Sequence, residues 1–219
     1  GGVTELMLEG LRLGGQVVLP FHRFEGELPN LPRIGFEVWD VPPADWPPAL
    51  TRIYSGVWDN PTAWARFVVE AFGAELVYLR LMSADPNGPA RSAGEAAAVA
   101  AEVAGAVDVP LAVLGPGDPQ ADAEVAQALA PLLGERRALL GLAEEDNYRA
   151  VGAAALGYGH AVIASSPIDV NLAKQLNVLL YRLGLEDKNL LMDPTTGALG
   201  YGLEYSYSVF ERTRLAALF

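Results

Sequence analysis

The chain has 219 residues, 51% of them hydrophobic and 19% charged, a balance that excludes a disordered acidic tail and allows a substantial core. With 27 acidic against 15 basic side chains its net charge is −12, so a nucleic acid duplex or an anionic membrane would repel it on average. It has no cysteine, which removes disulfides, thiolate zinc sites, a cysteine nucleophile and any iron–sulfur cluster carried by this chain alone. No stretch approaches the ~18 uninterrupted apolar residues of a membrane span, and no signal peptide is visible, so a cytoplasmic chain is expected. The sequence starts with Gly1-Gly2 and stops at Phe219 inside a helical pattern, so both ends read as cut.

In chain order, Val3 to Gly10 and Leu11 to Phe21 come first, with Gly14-Gly15 near a possible turn. They read as a hairpin before the first sheet strand, where many parallel barrels carry a plug. Short apolar runs then recur: Ile34 to Asp40, Leu76 to Leu81, Pro110 to Gly115, Arg137 to Ala143, His160 to Ser165 and Leu190 to Asp193. Most lack polar alternation, as strands buried on both faces do. Their spacing of about 25 to 40 residues fits a strand plus a crossover helix. Helix starts follow: Asn60-Pro61, Asp118-Pro119 and Ser166-Pro167 each put a polar residue before a proline. Ser92 to Val107 is an alanine-rich helix ending near Gly105, and Asn147 to Leu156 is another, closed by Gly157 and Gly159. No linker divides the chain, so residues 1–219 read as one α/β domain of about six strand–helix units.

Two architectures fit: an open doubly wound sheet, or a TIM (β/α)8-type barrel lacking its last two units. A Gly-x-Gly-x-x-Gly turn after the first strand is absent, which weakens the dinucleotide-binding form of the open sheet. The stop at Phe219 favours an incomplete barrel, a full one taking about 250 residues.

In either, function sits at the carboxyl ends of the strands. Those ends supply Asp40, Asp85, Asp118, Asn147, Asp169, Asp193, Thr195 and Thr196. Such a ring of acceptors suits a neutral ligand rich in N–H groups and suits phosphate poorly. An Asp before Pro is also a helix cap, and for any single Asp here capping is the commoner use. In Asp193 to Ser208, Gly197, Gly200 and Gly202 fall within six residues and three tyrosines then open a helix. That segment reads equally as a tight capped turn and as a loop meeting a flat ligand or a partner. His22 and His160 lie off the strand ends and are expected to be structural. Lys174 and Lys188, the only lysines, sit on no strand, which argues against a Schiff-base aldolase.

The segments Pro20 to Gly26, Gly35 to Asp40, Ala143 to Tyr148, Ser166 to Asn171, Lys174 to Asn177, Asp193 to Gly197 and Gly200 to Tyr205 resemble the small subunit of the corrinoid iron–sulfur protein, the acetyl-CoA decarbonylase/synthase delta-subunit family. The resemblance runs from about Leu19 to Leu218. It implies a (β/α)8 barrel similar to pterin-dependent methyltransferases, paired with a large corrinoid iron–sulfur subunit that brings the cluster and the corrinoid (cobalamin)-binding domain. It implies methyl transfer from a methyltetrahydropterin or methyltetrahydrofolate to acetyl-CoA synthase, with the corrinoid lying at the subunit interface against the barrel's carboxyl-end face. A methyltransferase and acetyl-CoA synthase would be transient partners. The eight residues named above would then hydrogen-bond the corrin amides, with the chain shielding the corrinoid and holding no catalytic residue of its own. The alternative is a self-sufficient pterin-binding methyltransferase. The family's barrel continues through two more strands, so either the chain is truncated or a partner closes it.

Overall fold

The computed structural model describes residues 4–18 and 22–218; Val3, at the start of the expected hairpin, Leu19, Pro20 and Phe21, where the resembling stretch opens, and Phe219 lie outside them. Strands β1 (Glu5–Leu8) and β2 (Leu11–Gly14) form the antiparallel hairpin. Its turn is Glu9-Gly10, with φ of 47° and 93°, the two-residue geometry that matches strand twist. Gly14-Gly15 instead ends the hairpin, where a Cβ on Gly14 would meet the Thr4 carbonyl at 2.9 Å.

The six expected strands follow as β3 (Gly35–Trp39), β4 (Leu76–Arg80), β5 (Leu111–Leu114), β6 (Leu139–Ala143), β7 (Ala161–Ser165) and β8 (Leu190–Asp193). The helices are α1 (Pro48–Tyr54), α2 (Pro61–Phe72), α3 (Ala93–Ala104), α4 (Pro119–Leu129), α5 (Tyr148–Tyr158), α6 (Val170–Leu183) and α7 (Leu203–Leu218). Strands β3 to β8 pair in parallel and in chain order. A doubly wound sheet reverses its strand order at a switch point; this one does not. It is the singly wound, barrel-type arrangement, with β3 and β8 as its edges and no closed barrel among the described residues.

Caps set the helix starts. Asn60 accepts from the Ala63 amide and Asp118 from those of Gln120 and Ala121, with Pro61 and Pro119 in the first helical positions. Ser92 and Glu95 form a capping box for α3. Asp169, rather than Ser166, caps α6, which starts after Ile168. Gly73, Gly159 and Gly184 close α2, α5 and α6 in the left-handed conformation.

Strand side chains alternate between two cores. Outside, Val77, Leu79, Val113, Leu140 and Val162 pack with Trp64, Val68, Val103, Leu129 and Leu180 from the helices. Inside, Leu76, Ala112, Leu114, Leu139, Ala161 and Ile163 pack on Leu6 and Leu8 of the hairpin. Leu76, Leu139 and Ala161 are the first residues of their strands, so the hairpin plugs the amino end of the sheet. Burying Leu6 and Leu8 there contributes about 2 kcal/mol each. Arg136 fastens the plug: it donates to the Ala104, Val107 and Val109 carbonyls and pairs with Glu9. His160 is buried against the Ala130 carbonyl at 3.0 Å, and burial lowers its pKa. His22 lies 3.6 Å from Glu25 and 3.8 Å from Glu211, away from the strand ends.

Candidate functional site at the carboxyl ends of the strands

Because the six strands are parallel, every segment that leaves a carboxyl end emerges on one face. All eight sequence-chosen residues lie in such segments. Several are occupied in holding those segments together. Asp40 is buried and accepts from the Ser83 amide at 2.9 Å and from the Ser83 hydroxyl, tying the β3 exit to the β4 exit. Burial still raises its pKa, despite those bonds and nearby Arg91. Asp85 accepts from the Asn87 amide at 2.8 Å. Asp118 and Asp169 are the caps of α4 and α6. Buried Asn147 accepts from the Glu144 amide at 2.7 Å and donates to the Leu142 carbonyl at 3.1 Å. Asp193 accepts from the Thr195 amide at 2.9 Å, and the Thr195 hydroxyl donates to the Ser166 carbonyl at 2.6 Å. Thr196 is exposed beside them.

A second set of groups converges nearer the axis of the sheet. Asp122, in the first turn of α4, is only 2% exposed, and its Oδ1 accepts from the Gly117 amide at 3.0 Å. Burial pushes its pKa up to about 6, with Glu144 and Asp118 adding to the rise and the Gly117 amide and Arg80 opposing it. Gly115 makes the room: a Cβ there would stand 2.1 Å from the Asp122 Oδ1. Tyr78 and Arg80 project from one side of β4, the side of the inner core. Burial, then Asp193, push the Tyr78 phenol up to about 12, with Arg80 lowering and Glu37 raising it. Burial raises Glu144, and so do Asp146 and Asp193. These mutual influences place Tyr78, Arg80, Asp122, Glu144 and Asp193 around one mouth. Arg80 keeps a buried Nε without a partner.

Beside this mouth the glycine-bearing segment after β8 is a tight turn and also a projecting surface. Gly197 packs so closely on Gly202 that a Cβ would sit 2.6 Å from its carbonyl carbon. The Gly197 amide donates to the Ser206 hydroxyl at 2.7 Å, and the Tyr201 amide to the Ala198 carbonyl at 2.8 Å. That scaffold holds Leu199 and Tyr201 almost wholly in solvent, 88% and 86% exposed, with Tyr205 exposed next to them. No group of three or more His, Cys, Asp or Glu side chains among the described residues has metal-holding geometry.

Arg80, Tyr78 and Asp122 were not singled out from the sequence. Arg80 carried a signal, as the one charge within an otherwise apolar buried run. For Asp122 the one signal in the sequence is the Gly115-Pro116-Gly117 bend ahead of it, under which a side chain can fold back.

The sequence model of the family described as "CO dehydrogenase/acetyl-CoA synthase delta subunit" matches residues 8–219. Among curated relatives, the chain is 43% identical to the acetyl-CoA decarbonylase/synthase complex subunit delta of Methanothermobacter thermautotrophicus, over 100% of this chain and 57% of that one. It is 39% identical to the subunit of the same name in Archaeoglobus fulgidus, over 100% of this chain and 48% of the relative. With that of Methanocaldococcus jannaschii the identity is 38%, over 95% and 51%. The chain thus spans about half the length of the curated relatives it matches. With the family's sequence pattern running from the end of β1 through β2, the six parallel strands and the mouth alike, this chain belongs to the CO dehydrogenase/acetyl-CoA synthase delta-subunit family.

Proposed function

We propose that the chain serves in an acetyl-CoA decarbonylase/synthase complex as a subunit of its methyl-carrying corrinoid protein, its carboxyl-end face covering a corrinoid held by a large iron–sulfur subunit. The observation that carries this reading is the convergence of polar groups from β4, α4 and the ends of β6 and β8 on one mouth, with exposed Leu199 and Tyr201 beside it. The donor set fits such a group. Corrin side chains end in amides, which both donate and accept. Arg80, with its unpartnered Nε, is a donor for their carbonyls; Asp193, Thr195 and Thr196 are acceptors for their N–H groups. Leu199 and Tyr201 offer apolar and aromatic surface to a flat macrocycle or to the chain that carries it. A half-open cavity at this face, between the exits of β6 and β7 and α6, is about 230 Å³, below the ~300 Å³ at which small-ligand pockets begin. The macrocycle would therefore lie across the rim.

When bound, the corrinoid supplies a strongly nucleophilic reduced cobalt that accepts and passes on a methyl group. This chain would contribute position and dryness: Arg80, Asp193, Thr195 and Thr196 would hold the macrocycle by hydrogen bonds, and the mouth would keep water and oxidants from it while leaving room for a methyl donor. A methyltransferase and acetyl-CoA synthase would then dock in turn.

The test is co-expression with the large subunit. A red, cobalt-bearing pair is expected, in which Asp193→Ala and Arg80→Ala slow methyl transfer without dissociating the subunits. Unchanged rates in both variants would overturn the site. Titration of the isolated chain with methyltetrahydrofolate addresses the other reading, a self-sufficient pterin-binding methyltransferase: no saturable binding supports the carrier subunit, and saturable binding refutes it.

A further inference from the structure

Asp122 is the most enclosed carboxyl at the carboxyl-end face, and no described residue forms an ion pair with it. Its Oδ1 is tied to the Gly117 amide at 3.0 Å. Besides burial, the charged groups that act on it come from three elements: Glu144 at the exit of β6, Arg80 on β4, and Asp118 one turn back at the head of α4. Two of the three are acids. Arg80, the one cation, rests on the same bend, its Nη2 3.7 Å from where a Cβ on Gly117 would stand. Glu144 is faced in turn by Asp146 and Asp193, and no cation is among the groups that act on it. While the face is open, water solvates the negative charge that Arg80 does not offset.

We propose that closing this face is coupled to proton uptake: as a corrinoid and the subunit that holds it cover the mouth, Asp122 takes a proton from solvent and Glu144 shares in the uptake. The inference rests on the reading above, that this face is covered in the complex. Covering it removes the water, and a carboxylate left buried without a counter-ion takes a proton in preference to keeping its charge. The same reading turns the Arg80 guanidinium toward a corrin carbonyl, which weakens the one offsetting charge. The proton goes to the Asp122 oxygen that the Gly117 amide does not hold, so the bend keeps its tie. A buffer acid loses that proton and the carboxylate gains it; nothing else is transferred. The neutral carboxyl brings an O–H donor to a mouth crowded with acceptors. With the face open, the Asp122 carboxyl titrates at about 6. At pH 7 it is therefore mostly ionised and has a proton to gain, whereas at pH 5 it mostly holds one already. The face accordingly closes more tightly at pH 6.5 than at pH 7.5.

The test is a calorimetric titration of the corrinoid-loaded large subunit into this chain, run in phosphate and in Tris. The two buffers differ in ionisation enthalpy, so the difference in binding heat counts protons. About one proton per complex is expected at pH 7 and less than about half a proton at pH 5. Affinity should fall about five-fold between pH 6.5 and pH 7.5. Asp122→Asn should remove most of the uptake and flatten that pH dependence, and Glu144→Gln should remove a smaller part. Glu102→Gln, an exposed change on α3, should leave the proton count as it was. Binding with equal heats in the two buffers at pH 7 overturns the proposal and leaves the reading of the face intact; it would mean that a cation of the partner neutralises the mouth. An uptake undiminished in both Asp122→Asn and Glu144→Gln overturns the assignment to this cluster. Absence of any binding between the subunits overturns the reading beneath, and the proposal with it. The buffer comparison on the unaltered chain decides the coupling even if a variant fails to fold.

Discussion

Asp122 sets a stability cost that pH can switch. Its carboxyl lies under the Gly115–Gly117 bend, and burial raises its pKa from 3.8 to about 6. At about 1.4 kcal/mol for each pH unit between those two values, ionising it inside the fold costs about 3 kcal/mol. The sign follows from linkage. The folded form holds its proton more tightly than the unfolded chain, so the favourable contribution is complete below pH 3.8. It is lost as pH rises through about 6 and stays lost above. Asp122→Asn removes the charge and keeps an oxygen to accept from the Gly117 amide. Urea unfolding of the two proteins should show them within about 0.5 kcal/mol of each other at pH 4, with the variant about 2–3 kcal/mol more stable at pH 7.5. Asp40 is raised by burial too and His160 is lowered, but neither is among the groups that influence Asp122, so they cancel in the difference; Glu144 does act on Asp122, and its share of the rise is part of the effect that Asp122→Asn removes. A variant no more stable than the parent at pH 7.5, with the same pH slope, would refute burial as the origin of the effect.

The neighbouring glycine gives a coupled test. Gly115→Ala should destabilise by about 2–4 kcal/mol, and adding Asp122→Ala should recover much of that loss, a non-additivity readable in a double-mutant cycle. Ser83→Ala strips Asp40 of a hydroxyl donor; the penalty should be about 1–3 kcal/mol at pH 7 and should shrink as pH falls through the raised pKa of Asp40 and its carboxyl takes up a proton, as measured by urea midpoints. Arg136→Ala should cost about 3–5 kcal/mol by leaving three carbonyls unpaired and Glu9 with only the Arg137 amide, and should expose the plug hairpin to early proteolysis. Leu199→Ala combined with Tyr201→Ala, both nearly fully exposed, should leave the melting temperature within a few degrees and weaken capture of the large subunit at least about ten-fold.

The strands and most helix starts were legible because each has a local cause. The apolar runs of Leu111–Leu114 and Ala161–Ser165 are buried along their full length, and the caps at Asn60, Ser92 and Asp118 act within three residues of themselves. The chain-order pairing that separates a singly wound sheet from a doubly wound one is a long-range property, and the residues favoured the barrel type only indirectly, through the missing Gly-x-Gly-x-x-Gly turn and the chain length. The candidate site divides along the same line. Segments leaving strand ends could be named, because parallel strands oblige them to share a face. Which of their side chains are consumed in holding turns could not be read: Asn147 spends its amide on Glu144 and Leu142. Asp122 and Tyr78 escaped notice because their environments come from α4, β6 and β8, remote in sequence. The hairpin turn fell at Glu9-Gly10 rather than Gly14-Gly15 because the register of Leu6 and Leu8 on the inner core decides where the chain reverses.

The plug has a consequence for the order in which the molecule is assembled. Residues 5–14 leave the ribosome before β4 to β7, yet the apolar surface they cover is built from those strands, and their clamp joins Glu9 to Arg136 across 127 positions. Such distant contacts must wait for a long loop to close. A segment made before its partners is thus among the last to settle, and a nascent chain carries Leu6 and Leu8 uncovered until β6 and β7 have emerged.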